Sequence, residues 1–285
     1  MTSRPVRRGG GHVRRTRPVR RASAGLTPPR AAAIFGMLAT AGAIYWLTAS
    51  SAFGLSRIDI LGAEITGNAT VTQQLALTDG QNLFDIATEP LEAGLLQLPA
   101  VAEADVSIGL PDSVNVTIVE RRPIVVWKVG ERRLLVDQAG LLFAELGPDA
   151  PAPPPVESLP VVTDSRAAAP ALAIGNTLEP VILDAAFRLA SLTPAQVGSG
   201  AGALTVGVTD ENGFVVSSGP KGWSAIFGFY GLSQRTPELI PGQVQLLAKL
   251  LAGRETTIKT VILADDREGT YTQKATPKPL ATPKP

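Results

Sequence analysis

From Ala31 to Ala49 the chain runs AAAIFGMLATAGAIYWLTA, and no charged residue falls between Arg30 and Arg57. Nineteen helical residues span roughly 28 Å, about one hydrocarbon thickness, so this run reads as a single transmembrane helix. Tyr45 and Trp46 lie near its outer end, where amphipathic rings favour the headgroup region. Residues 1–30 contain nine Arg and no Asp, Glu or Lys. The positive-inside rule therefore places the N-terminus in the cytoplasm and everything after Ser50 outside. A cleaved signal peptide is the rival reading, with small residues at Ala49–Ala52. Both the 30-residue lead and the 19-residue run are long for one. The Arg pairs at 7–8, 14–15 and 20–21 are not closely followed by the apolar run, which argues against twin-arginine export.

The net charge of +1 conceals two electrostatic objects: a +9 tail, and a remainder with 17 basic and 25 acidic residues, or −8. Such a tail could bind nucleic acid or anionic lipid. Pro5, Pro18 and Gly9–Gly11 favour the plainer reading, a disordered topogenic tail, and no nucleic acid is expected as a partner. Ala32, Gly36 and Thr40 form a small-residue stripe of a kind common by chance in Ala-rich spans.

Beyond the anchor the pattern divides in two. In the first module, 55–122, Leu55–Leu61 alternates as a short strand. Thr70 is placed to cap a helix over VTQQLAL, and Thr88 to about Leu98 predicts a second, with Pro90 in its first turn. Val101–Leu110 and Val114–Glu120 are strands around a turn at Pro111–Ser113. The order is β-α-α-β-β: two helices on one face of a three-stranded sheet, with an edge left for a partner strand.

In the second module, 123–274, short strands are expected at Ile124–Val129, Arg133–Val136 and Leu141–Ala144. A Pro-rich loop follows at 147–160 and an apolar run at Pro160–Val162. A helix is expected over Leu178–Leu192. A hairpin follows, Ala203–Val208 with Gly213–Ser217, turned at Asn212–Gly213. Trp223–Phe227, a helix at Gln243–Leu251, and strands at Ile258–Leu263 and Gly269–Gln273 complete it. The last residues, 275–285, repeat Ala-Thr-Pro-Lys-Pro and read as a disordered Pro-rich tail. The fold class is thus α+β: one transmembrane helix, a three-stranded module, then a mixed β-rich domain with two helices.

Little in the chain suggests catalysis. There is no Cys, and the sole His, His12, lies in the basic tail. A His-based triad or metal site in the folded part is therefore excluded. Ser218–Lys221 matches S-x-x-K, but Gly219–Pro220 points to a turn rather than the helix that would bring Lys to Ser. Asp265–Asp266 and Glu64 have no reason to be opposed across a cleft. Gly198–Gly202 is Gly-rich without the strand and helix of a phosphate loop. Asn68–Thr70 and Asn115–Thr117 fit a glycosylation pattern common by chance. No catalytic residue, cofactor, metal or small-molecule substrate is expected.

The stretch ITGNATVTQQLAL, then GQNLFDI, then LPAVAEADVSIGLPDSVNVTIVERRPIVVW resembles the POTRA-type domain of the FtsQ/DivIB family of bacterial cell-division proteins. The most specific pieces are Leu98–Val101, Ala104–Val106, Leu110–Pro111 and Glu120–Pro123, in that order after one anchor helix. LLVDQAGLLF, Trp223–Gly228 and QLLAKLL are similar to the family's distal β-domain. Gly62–Ile65 and Phe229–Gly242 are longer than its pattern. The resemblance implies a non-catalytic scaffold concentrated at the division septum of the plasma (inner) membrane, with FtsB- and FtsL-like membrane proteins as partners. It also implies a partner strand docking on the last β-strand, where Thr270, Tyr271 and Thr272 are the candidate contacts. The alternatives are another POTRA-bearing envelope assembly protein and a membrane-anchored cell-wall enzyme.

Overall fold

The computed structural model describes residues 27–49, 51–147, 154–231 and 235–274, with side chains of the first helix described to Trp46. Most of the basic tail, the centre of the Pro-rich loop and the Pro-rich C-terminus lie outside the described residues. The chain divides into two units, 1–50 and 51–285.

The first unit is helix α1 (Pro28–Ala49). Its two leading prolines sit where no intrahelical N–H is needed. Phe35, Met37, Leu38, Ile44, Tyr45 and Trp46 are all exposed, so this helix is apolar around its whole circumference. Among the described residues no helix is long and apolar enough to cross a membrane, so α1 does not by itself show the transmembrane span expected over Ala31–Ala49.

The second unit begins with β1 (Arg57–Leu61), α2 (Asn68–Leu75), α3 (Thr88–Leu95), β2 (Val101–Gly109) and β3 (Ser113–Glu120). β3 is the central strand, parallel to β1 (Arg57↔Ser113) and antiparallel to β2 (Gly109↔Ser113). The alternation of Val114, Val116 and Ile118 turns these three onto α2 and α3, where they meet Val71, Leu75 and Leu95. Thr70 is not a cap: it lies inside α2, which starts two residues earlier from Gly67 (φ 80), with no side-chain cap. Gly67 N–H donates to Ala63 O, and its own carbonyl accepts from Val71, so a glycine turn opens the helix.

The remaining strands are β4 (Val125–Val129), β5 (Arg132–Val136), β6 (Leu142–Leu146), β7 (Val161–Asp164), β8 (Thr205–Thr209), β9 (Gly213–Ser217), β10 (Ser224–Gly228), β11 (Ile258–Leu263) and β12 (Gly269–Gln273). A one-turn helix α4 (Pro154–Glu157) follows β6. Helices α5 (Pro180–Ala190) and α6 (Ile240–Leu251) join later strands. The strands form one nine-stranded sheet, ordered β12-β11-β10-β9-β8-β7-β4-β5-β6. Helices α5 and α6 cover one face, over Trp127, Phe214, Trp223 and Phe227. At β4–β6 the other face is also covered: Val126, Leu135 and Phe143 pack with Val156 of α4 and Ala100 of the first module. Burial on both faces explains why these strands read as unbroken apolar runs.

The two buried indoles are neutral groups tied to carboxylates, one buried (Asp164) and one half-buried (Glu255). Trp127 Nε1 donates to Asp164 Oδ2 at 3.0 Å, and Trp223 Nε1 to Glu255 Oε1 at 3.0 Å. A buried indole that lost its acceptor would cost about 1–3 kcal/mol, so these pairs fix where β4 and β10 sit.

Candidate partner-binding edge

A sheet edge presents a row of unpaired N–H and C=O groups, and folded proteins cover or blunt most such rows. The two described sheets end in four edge strands, β1 and β2 in one and β6 and β12 in the other, and these differ in that respect. At the five-residue β1 no described strand pairs with the outer side. At β6, the loop before α5 lies alongside: Leu142 N–H donates to Asn176 O (2.9 Å), and Gly175 N–H to Leu142 O (2.8 Å). At β2, the Glu92 carboxylate of α3 accepts the outward Val106 N–H at 3.0 Å. At β12, the far end of the nine-stranded sheet, no described strand pairs with the outer side.

The geometry of β12 follows from its hairpin with β11. Ala264 N–H donates to Glu268 O at 2.9 Å, and the register runs Ile262↔Thr270 and Thr260↔Thr272. In an antiparallel pair, hydrogen-bonded and non-bonded positions alternate. Thr270 and Thr272 therefore direct their backbone groups at β11. Gly269, Tyr271 and Gln273 direct theirs outward. Past the bulge, Lys274 N–H donates to Thr257 O at 2.8 Å, which keeps Gln273 outward-facing.

Side chains follow the other alternation. A Cβ on Gly269 would meet Leu250 and Leu246 of α6 at 3.2 and 3.3 Å, so the odd positions face the helix layer. Tyr271 shares that face. Its ring is 37% exposed, and the Arg254 guanidinium lies 5.9 Å from its centroid. The ring therefore neither fills the core nor stands free; Arg254 steadies it at the rim. Thr270 and Thr272 are exposed on the opposite face, beside Ile262 and Thr260.

Two ties hold the hairpin in place. The Asp265 carboxylate accepts from Arg267 N–H (2.7 Å) and Glu268 N–H (2.6 Å), which hold it below the usual carboxylate range. Arg235 spans the ends of β10 and β11, donating to Phe227 O at 2.6 Å and to Ala264 O. The guanidinium occupies the place a Cβ on Gly228 (φ 88) would take, so a glycine is needed there.

The other sequence candidates are brought to no common cleft. Ser218 and Lys221 lie in the β9–β10 turn, where the Ser218 hydroxyl accepts from Trp223 N–H at 2.9 Å. Gly198–Gly202 is latched to Glu255, whose Oε1 accepts from the Ser199 hydroxyl and whose Oε2 accepts from Gly200 N–H at 3.0 Å. These bonds, Ser199 first, hold the Glu255 carboxyl below its ordinary range. Glu64 is exposed, and Asp265 and Asp266 share one surface turn. Gly269 and Gln273 lie within the strand expected at Gly269–Gln273 but are not among its candidate contacts; the register of β11 against β12 singles them out, and the approach to the Tyr271 ring singles out Arg254.

Residues 53–121 match the family model described as POTRA domain, FtsQ-type. Three relatives are each named cell division protein FtsQ. That of Chloroflexus aurantiacus is 27% identical over 229 residues, covering 80% of this chain and 73% of the relative. That of Chloroflexus aggregans is 32% identical over 163 residues, covering 55% and 57%. That of Streptomyces coelicolor is 29% identical over 161 residues, covering 56% and 59%. The last two matches thus span little more than half of either protein. Residues 53–121 carry an FtsQ-type POTRA domain, and the chain is similar to proteins named cell division protein FtsQ, over 80% of its length in one case and a little over half in two others.

Proposed function

We propose that this protein serves bacterial cell division as a non-catalytic scaffold, held in the plasma (inner) membrane at the septum and acting by binding other membrane proteins. The names of its relatives support the division role. The uncharged run from Ala31 to Ala49, with nine Arg before it, supports a single-pass anchor with a cytoplasmic N-terminus. The observation that carries the binding role is the outer edge of β12, with which no described strand pairs. An extended segment of an FtsB- or FtsL-like partner would add there as a tenth strand. The outward backbone groups of Gly269, Tyr271 and Gln273 would supply affinity, and the Tyr271 ring with Thr270 and Thr272 would supply selectivity.

The test is a binding titration of the full-length chain, in lipid nanodiscs, against the FtsB- and FtsL-like proteins of the same host. Gln273→Pro removes one outward N–H and leaves the β11 ladder intact. Losing that bond, worth about 1–1.5 kcal/mol, weakens binding roughly tenfold. Tyr271→Ala removes the ring and, as an interface anchor worth about 2 kcal/mol or more, weakens binding about thirtyfold. Unchanged affinity in both variants would dismiss the edge as the docking site.

A further inference from the structure

We infer that the end of the first module where the chain enters it is a lipid-facing tip, resting on the membrane surface through an aromatic pair and a leucine. The inference rests on the anchor proposed above and goes beyond it, because it assigns a second membrane contact to the folded region.

Three segments are tied together at that end. Leu55 N–H donates to Gln81 O (2.8 Å), and Gly80 N–H to Leu55 O (2.7 Å). Ser56 donates to Asp112 twice, from its N–H to the carbonyl (2.9 Å) and from its hydroxyl to Oδ2 (2.7 Å). The first pair joins the chain entry to the loop carrying Phe84; the second joins it to the β2–β3 turn carrying Leu110. Asn82 Oδ1 accepts from Phe84 N–H at 2.9 Å and so sets the loop that presents the ring.

Large apolar side chains stand out from these segments. Phe84 is 51% exposed and Leu110 is 61% exposed. The Phe84 ring is stacked edge-on against the half-buried Phe53 at 5.2 Å. Such a pair leaves apolar surface in water that the module's own core, a few residues away, does not take up.

The occupant is set by the length of the tether. Phe53 follows Ala49 by four residues. Whatever orientation the two units adopt, it stays within roughly 14 Å of the helix end, since each extended residue spans at most about 3.6 Å. With α1 in the bilayer, that distance keeps Phe53 and its neighbours at the headgroup level, where aromatic rings partition favourably. The tip is rimmed by Asp79, Asp85 and Asp112, while Arg57 is engaged by Asp59 at 2.9 Å. A surface with that rim is repelled by anionic headgroups, so the contact is apolar and persists at high salt.

The chain has no Cys, so single labels are readily placed. Full-length Asp79→Cys, Glu211→Cys and Ala39→Cys variants, each carrying an environment-sensitive fluorophore, go into phosphatidylcholine vesicles containing lipid with a quencher near the headgroup or near the acyl end. Expected are loss of the Ala39 signal with the deep quencher, loss of the Asp79 signal with the shallow one, and no change for Glu211 on its distant hairpin. Adding Phe84→Ser and Leu110→Ser to the Asp79→Cys chain restores its signal without changing its unfolding midpoint. An unquenched Asp79 label beside a quenched Ala39 label overturns the tip and leaves the anchor standing. An unquenched Ala39 label removes the anchor and the tip together. Asp79 quenching that survives both serine substitutions also overturns the inference, because proximity alone would then account for it.

Discussion

Asp164 closes β7 inside the second module, with its side chain fully buried. Trp127 Nε1 donates to its Oδ2 at 3.0 Å. Arg166 donates from Nη2 to Oδ2 at 2.7 Å, and from Nε and its own N–H to Oδ1 at 3.0 Å each. Burial alone pushes the carboxyl up; the Arg166 and Trp127 donors outweigh it and hold the group below the usual aspartate range. Asp164→Asn keeps the shape and one acceptor oxygen but removes the charge. Breaking a buried ion pair from one side costs about 3–5 kcal/mol. The Arg166 side chain is 28% exposed and can recover some hydration. The expected loss is therefore about 2–3 kcal/mol, or roughly 5–10 °C in Tm for a unit of this size. Chemical and thermal unfolding of residues 51–285 would measure it. The depressed carboxyl contributes stability that is complete above its unfolded value of about 3.9 and is lost as pH falls through the lower folded value. The gap between wild type and Asp164→Asn should hold steady from neutral pH to about pH 5 and close only below about pH 4. A gap under about 1 kcal/mol at pH 7, or one that persists at pH 2, would refute a charge-based role for Asp164.

Gly213 (φ 63) follows the Asn212 turn, and a Cβ there would stand 2.3 Å from Gly228 O, a backbone atom that cannot swing away. Gly213→Ala should lower the unfolding free energy by about 2–4 kcal/mol, against about 1 kcal/mol for Gly130→Ala, which has a similar φ of +58 but open space around it. Equal denaturant midpoints for the two would contradict the close approach. Arg121 joins the two modules, with Nη1 3.1 Å from Asp137 Oδ2 and Nε donating to Pro99 O at 2.9 Å. Its side chain is about one-third exposed, and Asp137 keeps the Ala139 and Leu141 N–H donors, so Arg121→Ala should cost only about 1–2 kcal/mol. Faster hydrogen exchange confined to the backbone around residues 121–126 would locate that loss at the joint.

What could be read from the sequence follows the range of the interaction responsible. The β2–β3 hairpin and the Asn212–Gly213 turn declare themselves because alternation and turn chemistry act over a few residues. In both places local preference and tertiary packing agree. Helix ends were less legible. Thr70 has the right chemistry for a cap, but Gly67 opens the helix from a positive φ, and α3 stops at Leu95 where periodicity continued to Leu98. The carboxylate partners of the two indoles lie 37 and 32 residues away, and nothing local marks Asp164 or Glu255 as anything but surface acids.

The edge strand sits between these cases. That Gly269–Gln273 is a strand follows from its short β-prone run. That it ends the sheet depends on β11 returning beside β10 in parallel after α6, which leaves β12 to fold back on the outer side. Which of its groups face outward depends further on the phase of the ladder, set by the Ala264 to Glu268 and Lys274 to Thr257 hydrogen bonds. The extra residue of the bulge, Lys259, lies on β11, so β12 keeps its own alternation and Gln273 stays outward between the inward Thr272 and Lys274. Composition therefore points to the strand, and register determines which of its backbone groups a partner can use.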